Sequence, residues 1–78
     1  MINKDEFINK FKEEFIDADE IVVAANTSFR DLGSWDSLTG MSILVMIQDF
    51  YYDKFSEADL KKCITVEDVY NSVQNLKS

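Results

Sequence analysis

Seventy-eight residues with 15 acids against eight bases, a net charge of -7, make a single small domain that would repel nucleic-acid phosphates and anionic lipid heads alike. The absence of histidine and the single cysteine exclude a Ser-His-Asp or Cys-His nucleophile, an internal disulfide and an ordinary zinc site. No proline, two glycines and 46% apolar residues describe a folded helical chain, one expected to be too short for a substrate cavity of its own.

From Asn3 onward, Phe7, Ile8, Phe11 and Phe15 recur at helical spacing with Lys10, Lys12, Glu13 and Glu14 opposite, which predicts a first helix over about Lys4 to Ile16. Asn3 is placed to cap it, and Asp5 and Glu6 fall in its positive first turn. Residues 17–36, DADEIVVAANTSFRDLGSWD, lack a sustained period and contain the turn formers Asn26, Ser28, Asp31 and Gly33. They read as a long ordered loop pinned by Ile21, Val22, Phe29 and Leu32, and loops this long in small domains more often serve function than decoration. A second helix, almost wholly apolar, is predicted from about Ser37 to Tyr52 with Asp36 at its N-cap. Ser56 is placed to cap a short third helix, EADLKK. Thr65 caps a fourth, VEDVYNSVQNL, with Asp68 at the third helical position as a partial capping box and Val66, Val69, Tyr70, Val73 and Leu76 as its inward stripe. No repeat, low-complexity segment or domain boundary interrupts the chain.

The second helix carries more apolar residues than one face can bury. Ile43, Met46, Ile47 and Phe50 recur at spacings of three and four and form the stripe expected to face the core. Leu38, Met41 and Val45 form another, rotated away from it, which reads as a docking patch unless Phe29 or Trp35 of the long loop folds over them.

Among groups with chemistry, Ser37 stands out. A serine at the first position of a helix, directly after an acidic cap, projects its hydroxyl from an end where unpaired N–H groups and the dipole favour anions. A phosphodiester would be stabilised there; equally, Asp36 and Ser37 could simply share the capping. Asp17 and Asp19 read as solvated surface acids, and Cys63, between Lys62 and Ile64, as a small buried apolar residue. The charged N-terminal stretch MINKDEFINKFKEEF offers no apolar run for a signal peptide or membrane span, so a reducing cytoplasm and basic protein partners are expected.

The segment FRDLGSWDSL, residues 29–38, resembles the modification site of acyl carrier proteins, in which D-L-G and a short gap precede D-S-L. The closing ITVEDV is similar to that family's entry into its last helix, and the resemblance spans nearly the whole chain. It implies an all-α fold: a small four-helix bundle with a long loop between helices one and two and a short third helix, residues 1–78 forming one carrier domain. It further implies 4'-phosphopantetheine attached to Ser37, with Asp36 and Leu38 flanking it in the motif, transferred from coenzyme A by a separate magnesium-dependent phosphopantetheinyl transferase. Such a protein is a carrier and not an enzyme, its cargo hanging as a thioester from the arm. Acyl-loading and acyl-processing enzymes with basic docking patches are the implied partners, meeting Leu38, Met41, Val45, Asp49 and Asp53; a monomer is expected.

The departures from that family are informative. Housekeeping fatty-acid carriers are usually acidic along the exposed face of the second helix, where this chain has Thr39, Ser42 and Gln48, and Trp35 before the aspartate is atypical of them. These features look like a carrier devoted to a specialised pathway such as polyketide, lipid-modifying, aminoacyl or surface-saccharide assembly. Peptidyl carriers fit less well, since a histidine or glycine usually precedes their serine. The alternative of another class is an acidic helical module that docks through the second helix without a prosthetic group.

Overall fold

In the computed structural model, which describes residues 2–77, four α-helices follow one another: α1 over Lys4–Glu13, α2 over Ser37–Phe50, α3 over Glu57–Lys61 and α4 over Val66–Lys77. No strand occurs among the described residues, and the expected all-α bundle with a long first connection and a short third helix is present. Met1 and Ser78 of the expected 1–78 domain lie outside the described residues.

Each helix begins where its capping residue places it. The Asn3 side chain accepts from the Glu6 N–H at 2.9 Å, and Asp36 accepts from the Thr39 N–H at 2.7 Å. Ser56 and Asp59 form a reciprocal capping box on α3. At α4 the box is also reciprocal: Asp68 N–H donates to the Thr65 hydroxyl at 3.1 Å, while the Asp68 carboxylate accepts from Thr65 N–H at 3.0 Å. The next two amides of α4 are satisfied by the long loop, Val66 N–H donating to Thr27 O at 3.1 Å and Glu67 N–H to Ala25 O at 2.8 Å. The loop is therefore part of the fold, docked on the start of α4 and containing one 3-10 turn, Phe29–Asp31.

The core is an aromatic line through the bundle. Tyr51 and Tyr70 meet Phe7 at 5.1 and 5.6 Å between centroids, Phe11 meets Phe29 at 5.2 Å, and Phe29 meets Trp35 at 5.3 Å. Ile43, Met46 and Ile47 of α2 and Val66, Val69 and Val73 of α4 bury around it. α1 packs against both α2 and α4.

Several expectations are corrected. α1 ends at Glu13 and not Ile16: the chain changes to three-residue turns, Phe15 N–H donating to Lys12 O, which keep Phe15 buried and turn Ile16 outward. α2 ends at Phe50 and not Tyr52, because Ile47 O accepts from both the Tyr51 and the Tyr52 N–H groups and closes the helix. At that end Tyr51 takes the inward place beside Phe7, so Phe50 is 62% exposed rather than core, with Lys10 Nζ 4.4 Å from its ring centroid. Val22 does not pin the loop: Ile21 and Val23 pack on the core and Val22, 84% exposed, alternates outward between them. Leu76, beyond Val73 in the last turn of α4, is exposed as well.

Candidate functional site

The site is built at the first turn of α2. The Asp36 carboxylate takes the N–H of Thr39 and also the Thr39 hydroxyl at 2.9 Å, and the bond from the Thr39 N–H holds the carboxyl below its ordinary range. Gly40 N–H donates to Asp36 O at 3.0 Å, completing the turn. Capping is thus done by Asp36 and Thr39. Ser37 is left exposed, and among the described residues its hydroxyl makes no hydrogen bond.

The approach to Ser37 is fixed from behind. Ser34 donates its hydroxyl to Asp17 at 2.6 Å, tying the end of the loop to the segment leaving α1. Thr39 is buried and engaged in the cap, and Gln48 is half-buried and donates to Phe55 O at 2.8 Å. Of the three positions expected to replace acids on the exposed face of α2, only Ser42 lies on the surface.

The second stripe of α2 is uncovered: Leu38 is 78%, Met41 56% and Val45 49% exposed. Phe29 is buried in the core, and Trp35, half-buried, packs against it and over Gly40, so neither covers the stripe. A shallow groove of about 600 Å³ runs along this face between Leu38, Met41, Val45 and Phe50, with Glu14 and Asp49 on its edges. Asp53 is exposed in the turn after α2 but does not line the groove.

On the other side of Ser37 the surface carries a second depression. A recess of about 370 Å³ opens between α2, α3 and the loop, lined by Ser37 with Trp35, Met41, Leu44 and Leu60 and flanked by Arg30, Glu57 and Lys61. Lys61 and Glu57 pair across 3.3 Å at its rim. Arg30, Leu44 and Leu60 carry no motif that sequence reasoning could single out. Gly40 does carry a signal, since a glycine inside a helix costs about 1 kcal/mol relative to alanine and is tolerated where something must approach closely.

Cys63 is buried, and burial pushes its thiol up from the ordinary range, with Asp68 adding to the effect. No group of three or more His, Cys, Asp or Glu residues among those described could hold a metal ion. No helix is long and apolar enough to cross a membrane.

These features fit a phosphodiester link at Ser37: a free exposed hydroxyl on a helix start whose capping is already satisfied, with a partly apolar recess beside it. A family model described as "phosphopantetheine attachment site" matches residues 7–73. No curated protein and no solved structure matches the chain.

Proposed function

The chain belongs to the phosphopantetheine-attachment family, whose domains are carriers and not enzymes, and on that premise we propose that Ser37 is the residue that bears the arm. The prosthetic group is 4'-phosphopantetheine, covalently held, and its terminal thiol supplies the thioester chemistry that this chain's own residues lack. The observation that carries the assignment is Ser37 itself: exposed, at the first position of α2, and released from capping by Asp36 and Thr39.

The neighbouring residues have distinct tasks in this reading. Asp36 fixes the start of α2, so the Ser37 hydroxyl is presented on a rigid element. Leu38, Met41 and Val45 offer an apolar docking face to the phosphopantetheinyl transferase and to acyl-loading and acyl-processing enzymes, while Asp49 and Asp53 attract their basic patches. Methionine at the centre of that face suits a carrier that must meet several partners in turn. Ser42 and Trp35 support a specialised lipid, polyketide or related pathway over housekeeping fatty-acid synthesis, the chain acting as one monomeric carrier domain in the cytoplasm.

Incubation with coenzyme A, Mg²⁺ and a broad-specificity transferase tests the assignment by intact mass. The wild type should gain one arm; Ser37→Ala should gain none and should lose at most about 1 kcal/mol of stability, since another residue does the capping. An alanine variant that still gained the arm's mass would show that a different hydroxyl is used.

A further inference from the structure

Ser37 stands between two depressions of opposite charge. The groove along Leu38, Met41 and Val45 has two acids on its edges, Glu14 and Asp49, and no base among its lining residues. Lys10 reaches only its far end, over the ring of Phe50. Phe50 closes the 14-residue helix that Ser37 opens, so that ammonium lies about 20 Å from the attachment point, beyond the roughly 8 Å over which salt lets charges act. The recess on the α3 side is rimmed instead by two cations, Arg30 and Lys61, against the one acid Glu57.

The two cations are held differently. The Arg30 guanidinium donates to Leu60 O at 2.9 Å and to Cys63 O, and lies 4.7 Å from the ring centre of Phe29 and 5.7 Å from that of Trp35. It is a fixed charge, and its remaining N–H groups have no acceptor among the described residues. Lys61 pairs with Glu57 at 3.3 Å, but the two side chains are 73% and 65% exposed, so the pair is weak and exchanges readily. Asp36, immediately before Ser37, is kept charged by the N–H of Thr39. A phosphodiester on Ser37 would therefore place a second anion beside a standing one, which raises its need for a cation.

We propose that Lys61 and Arg30 act as positioning residues for the arm, drawing its phosphate to the α3 side of Ser37 so that the docking face of α2 stays clear for a partner. The pairing rests on Ser37 bearing the arm, and it involves the arm's root, whatever is carried at the far end. Glu14 and Asp49 repel the same phosphate from the groove, so both sides of Ser37 push in one direction. Lys61 and Arg30 are exposed to water, which keeps the attraction weak enough for a partner's own basic patch to draw the arm away.

The test uses the protein with its arm attached and a neutral nitroxide coupled to the arm's thiol, and reads paramagnetic broadening of backbone amides by NMR. In dilute buffer the arm should favour the amides of Glu57 to Lys61 over those of Met41 to Val45 by roughly fivefold in occupancy, the equivalent of ~1 kcal/mol for unit charges about 4 Å apart in water. The preference should fade in 1 M salt, where the screening length is about 3 Å. Lys61→Gln should lose most of it. Lys54→Gln makes the same change of net charge in the turn beyond the far end of α2 and should keep it. The Arg30 Nε–H signal should move when the unlabelled arm is attached, and a fixed signal removes Arg30 from the pairing. Equal broadening on the two sides in dilute buffer overturns the proposal, as does a preference unchanged by Lys61→Gln. A preference that survives 1 M salt overturns it too, since an apolar hold would not be screened, and this wild-type series stands whether or not a variant folds. Failure of the wild type to gain any arm would instead refute the attachment reading.

Discussion

Ile47 and Val45 lie two residues apart on α2, and truncating each to alanine separates its two apolar stripes. Ile47 has no exposed surface, so Ile47→Ala leaves a void in a filled core, a change that costs about 2–5 kcal/mol. A domain of this length has roughly 4–12 kcal/mol in total at 0.05–0.15 kcal/mol per residue, so a large share is lost. The melting temperature should fall by at least about 8 °C, taking ~4 °C per kcal/mol for small domains. Val45 is half exposed, and Val45→Ala removes only methyls that are partly in water already, so it should cost under about 1 kcal/mol. Phe50 provides a sharper case because the spacing alone places it with Ile47. Its ring is mostly exposed beneath Lys10, so Phe50→Ala should cost on the order of 1 kcal/mol, against about 3–5 kcal/mol for a buried phenylalanine. Urea denaturation followed by circular dichroism gives the three values. Initial rates of arm transfer should fall for Met41→Ala and Val45→Ala while their stability holds. If Val45→Ala or Phe50→Ala unfolds the protein as readily as Ile47→Ala, the stripe is core and there is no docking face.

Stability should respond to acid in a defined window. Asp36, Asp59 and Asp68 are held below the ordinary carboxylate range by accepting N–H bonds from Thr39, Ser56 and Thr65, so their contribution is complete above the unfolded value of about 3.9 and is lost as pH falls through the lower native values. Glu14, pushed up by burial and by Glu13, works the other way and softens the fall. Urea midpoints should be level from about pH 7 to 5 and drop below about pH 4; a decline finished by pH 5 would assign the sensitivity to other groups. The Tyr51 hydroxyl is buried with no hydrogen-bond partner among the described residues, so Tyr51→Phe should leave stability unchanged or raise it by up to about 1 kcal/mol. A clear loss in thermal melting would reveal a bond that the hydroxyl makes. Association with the transferase, followed by stopped flow, should slow as salt rises, since exposed charges more than about 8 Å apart are largely screened at physiological ionic strength. The slope should shrink in Asp49→Asn with Asp53→Asn, and an unchanged slope would remove these two acids from steering.

Local chemistry wrote much of this fold into the sequence. Asn3, Asp36, Ser56 and Thr65 each start the helix they were expected to start, because a cap needs only residues within one turn of itself. Ser37 could be singled out for the same reason: the acidic cap before it and the apolar run after it are neighbours in the chain. Periodicity also separated Ile43, Met46 and Ile47 from Leu38, Met41 and Val45.

What periodicity could not decide is where a stripe ends. Phe50 and Tyr51 are both within one turn of Ile47, and only the presence of Phe7 at that end of the bundle awards the inner place to Tyr51. Likewise nothing within the loop distinguishes Val22 from Ile21, since both are aliphatic and only the docking of Ala25 and Thr27 on α4 sets which one turns inward. The recess beside Ser37 belongs to the same class of facts. Arg30 and Trp35 of the loop and Leu60 of α3 come from two distant parts of the chain, and they meet because Arg30 reaches carbonyls 30 and 33 residues away. The sequence alone determined that a hydroxyl stands ready at the start of α2, a matter of neighbours along the chain. What lies beside that hydroxyl was decided by tertiary packing, because a wall is made by residues that no spacing rule connects.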